Sequence, residues 1–215
     1  MYIKEYMNTN VITVNSGTLI HDAEKIMRDH KIRRLPVVDK GELVGIVTKD
    51  RIREATITPA TSLGVWELNY LLAKMKVKDV MVTSLYTVNP DTPLEKAITE
   101  AHEQGIGTLL VVEKNDPKRL LGIATTTDLY KVTTTLLGFG EKGVHLHIIN
   151  PSESGSVQEV LSMIIEQEGK INSMFTIIPP GKEKEDCIIH LDIADADQII
   201  KKLKSKGYEI EERAR

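Results

Sequence analysis

The chain has 215 residues and a formal net charge of −3, with 41% hydrophobic, 27% charged and only 4% aromatic residues. This is an ordinary globular composition with apolar residues enough for a core, without the basic balance of a nucleic-acid binder or the rings for stacking single strands. No apolar run approaches the ~18 residues that span a bilayer, the start Met1-Tyr-Ile-Lys-Glu-Tyr-Met7 lacks a signal-peptide pattern, and the lone Cys187 excludes an intrachain disulfide; a cytoplasmic protein with no membrane or nucleic-acid partner is expected.

From the N-terminus the chain repeats itself. Met7, Thr9, Thr13, Val14 and Asn15 fall on Met81, Thr83, Thr87, Val88 and Asn89 at a constant offset of 74 residues. The register continues through Thr18 on Thr92, Ala23 on Ala97, and Leu35-Pro-Val-Val38 on Leu109-Leu-Val-Val112. After a three-residue insertion around Asn115-Asp-Pro117, Gly45-Ile-Val-Thr48 meets Gly122-Ile-Ala-Thr125. Such a repeat dictates architecture.

Each copy reads as a short extended segment (11–14; 85–88) and then a helix with apolar residues at helical spacing. These are Ile20, Ala23, Ile26 and Met27 in the first copy, and Leu94, Ala97, Ile98 and Ala101 in the second. In the second copy Thr92 is expected as N-cap, Pro93 at the first helical position and Gly105 as the stop. Two strands follow (35–38 and 43–47 in the first copy), joined by Asp39-Lys-Gly41, and a last helix begins at Thr48 or Thr125. The pattern is β-α-β-β-α twice, over 1–56 and 79–137. Neither copy buries a core alone, so both should pack as one domain over 1–137. Residues 57–78 between them suggest a linker helix carrying Trp66.

The run Gly138-Phe-Gly-Glu-Lys-Gly143 suggests a break, with a second domain over 144–215. There the strand 144–149 alternates, the stretch Pro151-Ser-Glu-Ser-Gly155 is a turn, and a helix over 156–168 turns Val157, Val160, Leu161, Ile164 and Ile165 inward, with Gly169 as its cap. Strands at 171–178 and 187–193, a helix at 196–206 and a strand at 208–211 complete β-α-β-β-α-β, the ferredoxin-like split βαβ plan; the whole chain is of the α+β class.

The segment Arg119-Leu-Leu-Gly-Ile-Ala124 feeds a helix opened by Thr125, with Asp128 three residues on. A helix N-terminus favours an anion such as phosphate, and a carboxylate can accept both hydroxyls of a ribose. The same Thr-x-x-Asp is also a capping box that binds nothing. Both readings stand on the residues, and the repeat tips the balance toward a nucleotide. His145, His147 and His190 could meet at a metal, but no further ligand has a recognised spacing, so a solvent- or dimer-facing strand is favoured and no metal is expected. There is no Walker loop, nucleophile elbow or zinc-protease motif, and no enzyme is expected.

The paired Met-x-x-x-x-x-Thr-Val starts, Leu35-Pro-Val-Val-Asp39 and the Gly-Ile-x-Thr endings resemble a pair of CBS motifs, a Bateman module. The tail resembles an ACT domain, and the order resembles the acetoin-utilisation-type CBS–ACT proteins. The resemblance implies a non-catalytic regulator that senses AMP, ADP, ATP or S-adenosylmethionine as a regulatory ligand, signals to its ACT domain or an unidentified regulated protein, and forms a homodimer. The alternative is an amino-acid-responsive or purely structural dimerisation module. By resemblance one cleft uses Ser84, Leu85, Ile106, Gly107, Thr108, Leu109, Thr125 and Asp128, and the other Asn10, Val11, Ile32, Arg33, Arg34, Leu35, Pro36 and Thr48. The second of these departs from the pattern: Arg51 stands where the ribose-binding Asp belongs, and Asp50 lies one residue early, about 100° round the helix. An ACT effector would sit at Asn150, Ser154 and Gly155.

Overall fold

The computed structural model describes residues 1–57, 70, 73–138 and 142–213. Contacts divide the chain into two units, Met1–Leu129 and Tyr130–Arg215. Most of the expected linker helix, Trp66 included, lies outside the described residues.

In the first repeat a 3-10 turn at Ile3–Glu5 precedes α1 (Ile20–Asp29), β1 (Arg34–Asp39), β2 (Glu42–Thr48) and α2 (Lys49–Ile57). The second opens on a matching 3-10 turn at Val77–Asp79, then β3 (Thr87–Val88), α3 (Leu94–Glu103), β4 (Thr108–Glu113), β5 (Asp116–Thr125) and α4 (Thr126–Leu136). Lys40 and Gly41 both take positive φ (52° and 87°), the mirror-image turn whose twist suits a two-stranded ribbon. The extended segment of the first copy makes a single parallel bridge, Val14 to Val37, while its counterpart becomes β3 beside β4.

One helix start differs from expectation. The N-cap of α3 is Pro93, not Thr92. Thr92 is buried and its carbonyl accepts from the Ile3 N–H (3.0 Å), while the Leu94 N–H donates to the Met1 carbonyl (3.1 Å). The chain's own N-terminal segment satisfies these groups, so no side-chain cap is needed.

The repeats interlock. Asn8 exchanges two backbone hydrogen bonds with Ile123 on β5 (2.8 and 3.0 Å), and Val82 exchanges two with Ile46 on β2 (2.9 and 3.0 Å). Each repeat's opening segment therefore crosses onto the other's sheet. At the crossings a methionine lies on a glycine: a Cβ on Gly122 would stand 2.5 Å from Met7 Sδ, and one on Gly45 2.8 Å from Met81 Sδ. The Met and Gly that recur in the sequence are the two halves of one contact. Leu43, Leu110 and Val112, with Ile46, Leu85 and Ile123, form a core shared by both repeats.

The second unit holds β6 (Val144–Ile149), a helical turn α5 (Pro151–Ser154), α6 (Val157–Glu166), β7 (Ile171–Ile177), β8 (Asp186–Leu191), α7 (Asp197–Ser205) and β9 (Glu209–Arg213). Its sheet is antiparallel in the order β7-β8-β6-β9. Leu146, Ile148, Ile189 and Leu191 pack with Val160, Ile164, Ile199 and Leu203 of the two longer helices. Ser156 caps α6 by accepting from the Glu159 N–H (3.2 Å). Two expectations fail here. Ile165 is 66% exposed and Met163 is buried instead, because Ile165 lies about 100° past Ile164 on the helix. The left-handed residue ending this helix is Glu168 rather than Gly169.

The histidines also depart from expectation. His145 and His190 are buried cross-strand partners with parallel rings 4.3 Å apart, not a solvent-facing row. Their side chains share the sheet face opposite Leu146 and Ile189, which period-two alternation requires. Among the described residues no group of three or more His, Cys, Asp or Glu could hold a metal ion. His147 instead reaches Asp186 (3.0 Å) and Glu211 (3.2 Å).

Asp186 is fully buried and also accepts from Lys182 Nζ (3.1 Å) and the Asn150 N–H (3.2 Å). Burial pushes its pKa up, but the bonds from His147, Lys182 and Asn150 outweigh it, and the pKa lies below the ordinary value. A carboxylate with a lowered folded pKa stabilises the fold above its unfolded pKa, about 4, and that stabilisation is lost as pH falls through the lowered value. Urea unfolding at pH 5 and pH 3 should show a larger drop for the wild type than for Asp186→Asn. Equal drops would remove Asp186 from the acid response.

Candidate functional site

β5 ends at Thr125 and α4 begins at Thr126, which puts Thr125 at the N-cap and Asp128 at the third helical position. The Thr125 N–H and hydroxyl both donate to Asp128 Oδ2 (2.8 and 2.6 Å), and the Asp128 N–H donates back to Thr125 Oγ1 (3.4 Å). This is a reciprocal capping box. It uses one carboxylate oxygen; among the described residues nothing donates to Oδ1.

Asp128 also lines a cleft of ≈ 350 Å³, within the roughly 300–1,000 Å³ of ligand pockets. From the second repeat come Ile123, Thr125, Thr127 and Asp128; from the first come Asn10, Val11, Ile32, Arg33, Arg34 and Pro36. The cleft thus crosses between repeats, whereas the sequence reading grouped residues repeat by repeat. The reason is the Asn8–Ile123 bridge, which carries the first repeat's opening segment onto β5 beside Thr125. Asn8, Ile12, Lys31, Ile123 and Thr127 join the lining and were missed. Only Lys31 left a signal, as a lysine aligned with Gly105 of the other copy. Among the described lining residues Lys31, Arg33 and Arg34 stand against a single carboxylate, Asp128, which biases this cleft toward an anionic ligand.

The remaining candidates fall elsewhere. At the equivalent turn of the first repeat Thr48 Oγ1 accepts from the Arg51 N–H (3.2 Å), Arg51 pairs with Glu54 (3.4 Å), and Asp50 lies 3.9 Å from Arg33. Leu35 and Leu109 are fully buried core residues, and Leu85 packs in the shared core. Ser84 is exposed and Ile106 half-buried, while the buried Thr108 hydroxyl has no hydrogen-bond partner among the described residues. At Gly107 a Cβ would stand 2.3 Å from the Arg34 guanidinium, so a side chain there would displace the end of Arg34. The Gly107 carbonyl accepts from the Thr126 N–H (3.3 Å) and hydroxyl (3.1 Å), which ties it to the start of α4.

In the second unit Asn150 is left-handed (φ 43°), its side-chain oxygen is buried without a partner among the described residues, and Ser154 lies in the turn α5. A Cβ on Gly155 would stand 2.1 Å from Glu159 Oε2 and 2.2 Å from the Tyr208 hydroxyl. That hydroxyl donates to Glu159 (3.0 Å) and accepts from the Ser156 N–H (3.1 Å); burial first, then the bond to Glu159, push its pKa up. The chain's own Tyr208 packs this turn. Cys187 is buried, and burial pushes its thiol up to about 11, which makes it an inert core residue.

The family model for the CBS domain matches residues 3–58 and 77–134, together more than half of the chain. The CBS domain pair of protein MJ0100, solved with 5′-methylthioadenosine and S-adenosyl-L-methionine, is similar at 26% identity and TM-score 0.53, covering 63% of this chain and 97% of that one. AcuB from Vibrio cholerae is similar at 25% identity and TM-score 0.54, covering 64% and 93%. CBSX2 in complex with AMP is similar at 25% identity and TM-score 0.51, covering 62% and 96%. The chain spans about a quarter of the length of the first two curated relatives, both enzymes by name, and CBS domains are in general regulatory, non-catalytic modules. No helix among the described residues is long and apolar enough to cross a membrane. Two matched stretches at the two sequence repeats, interlocked across their sheets, carry one conclusion: the chain belongs to the CBS domain family.

Proposed function

We propose that this chain is a non-catalytic regulatory protein whose CBS pair senses an adenine nucleotide at the Asp128 cleft. The observation that carries the reading is the convergence of Thr125, Asp128 and the α4 N-terminus with Val11, Ile32 and Arg34 around one cleft. There the carboxylate meets the ribose diol, the helix start and the arginines meet phosphate, and the apolar wall meets the base. The adenosine ligands of the MJ0100 pair and of CBSX2 support it. The ligand is AMP, ADP, ATP or an S-adenosyl compound. For signalling it must bind two states of the protein unequally, and a regulated protein or the second unit reads the difference.

We read the second unit as an ACT-like, ferredoxin-like domain, on its strand order and its two helices, with Asn150, Ser154 and Gly155 as the effector turn. The working form is a cytoplasmic homodimer, and light scattering on the full chain tests it. A second reading, a structural module without a nucleotide, is favoured by the capping box, which satisfies Thr125 and Asp128 from within the chain. Calorimetric titration of AMP, ADP, ATP and S-adenosylmethionine separates the two. Saturable binding of one supports the sensor, and no heat from any supports the module.

A further inference from the structure

Gly107 stands just before β4, and its φ is not one of the positive values that call for glycine. The first repeat is an internal control. Arg33 holds the aligned position 74 residues earlier, and its carbonyl accepts from the Lys49 N–H (2.9 Å) as the Gly107 carbonyl accepts from the Thr126 N–H (3.3 Å). The fold therefore takes a side chain at this place, and backbone geometry does not explain the glycine.

What fills the space is a side chain from the other repeat. A Cβ on Gly107 would stand 2.3 Å from Arg34 Nη2, 2.9 Å from Cζ and 3.4 Å from Nη1, so the whole guanidinium fork lies over the glycine. Arg34 is half-buried, and its guanidinium makes no hydrogen bond or ion pair with any described residue. The room left by Gly107 is therefore what lets it lie there. The Thr126 N–H and hydroxyl (3.1 Å) both hold the Gly107 carbonyl, so an added side chain would move the arginine before it moved the backbone. The aligned pair, Thr108 and Arg33, joins a short side chain to a long one, where Arg34 and Gly107 join a long one to none. Arg34 lines the Asp128 cleft, and Gly107 is not among the lining residues.

We propose that Gly107 is a positioning residue for the Asp128 cleft: its missing side chain gives the Arg34 guanidinium of the other repeat the place from which it meets the anionic end of a ligand. Gly107 touches no ligand itself and acts only through Arg34. A guanidinium held ready beside its anion loses less freedom on binding than one that must first be ordered, and that difference appears as affinity. The proposal rests on the nucleotide reading of the cleft, and gives Gly107 a role in the cleft opposite to the one its own repeat suggests.

The test is a double-mutant cycle read by calorimetric titration of AMP, ATP and adenosine into the full chain, on the wild type, Gly107→Val, Arg34→Thr and the double variant. Each substitution puts a side chain where the aligned position of the other repeat already has one, and Arg34→Thr copies Thr108 outright. Arg34→Thr should weaken AMP about tenfold through loss of a charge-assisted hydrogen bond, and Gly107→Val about three- to tenfold through displacement of the same group. In the Arg34→Thr background Gly107→Val should cost nothing more, and adenosine, which has no phosphate, should change by less than about twofold in every variant. Gly107→Ala should act in the same direction with a smaller loss, and it keeps the cycle valid if the valine variant folds poorly. The proposal is overturned if AMP and ATP bind Gly107→Val as tightly as the wild type. It is also overturned if the loss persists without Arg34, or if adenosine and AMP fall equally, since the glycine would then act through the fold. If the wild type binds neither AMP nor ATP, the proposal falls together with the phosphate part of the nucleotide reading.

Discussion

Asp128→Ala is expected to weaken adenine-nucleotide binding about 10- to 100-fold, to the edge of calorimetric detection. A hydrogen bond to a charged group contributes about 1.5–3 kcal/mol, and 1.4 kcal/mol is a factor of ten in affinity. Among the described residues Asp128 is the one carboxylate lining the cleft, and Oδ1 remains for the ligand while Oδ2 serves Thr125. The same substitution removes half of the capping box, at a cost of about 1 kcal/mol in stability. The two roles separate in Asp128→Asn. Asparagine keeps an acceptor for the Thr125 N–H, so stability should stay close to wild type while affinity falls most of the way toward the alanine variant. Urea unfolding without nucleotide reads the cap, and titration reads the ligand. If Asp128→Asn binds nucleotide as tightly as the wild type, the carboxylate charge is not the ribose clamp.

What could be read in advance was whatever repeats. The two copies, their helices and the β1–β2 and β4–β5 ribbons follow from apolar spacing and from Lys40–Gly41, because those signals are local. The turn carrying Thr125 and Asp128 was legible for the same reason, as a strand running into a helix. The composition of the cleft was not. Asn8 and Ile123 are 115 residues apart and meet through backbone hydrogen bonds, which no side-chain pattern announces. The reversed grouping of residues between clefts follows from that one crossing. His145 and His190 were misjudged likewise: their polarity suggests a wet surface, yet they are buried against each other. At Gly107 the lack of a side chain was legible, but the group that occupies the space, the Arg34 guanidinium, comes from the other repeat.

The crossing yields the second large effect, because it joins fold to site. Gly122→Val should destabilise the first unit by about 1–3 kcal/mol through overpacking, offset in part by the better strand propensity of valine. A Cβ there meets Met7 Sδ at 2.5 Å, Met7 Cγ at 3.0 Å and the Asn8 carbonyl oxygen at 3.1 Å. Met7 can swing aside, but the Asn8 oxygen is backbone and is paired with the very strand that carries Gly122. Relief therefore means moving Asn8, and with it Asn10 and Val11 on the cleft wall, so nucleotide affinity should fall together with stability. Gly45→Val makes the same collision at the other crossing, with Met81 Sδ at 2.8 Å and the Val82 oxygen at 3.1 Å. Its loss of stability should be similar, yet neither Met81 nor Val82 lines the Asp128 cleft, so affinity in the folded fraction should hold. Met7→Ala added to Gly122→Val should recover part of the stability and little of the affinity, since the backbone contact remains. Urea midpoints and nucleotide titrations on the three variants decide it. Equal loss of affinity in Gly45→Val and Gly122→Val would mean that general loosening of the unit, rather than the position of Asn8, governs the cleft.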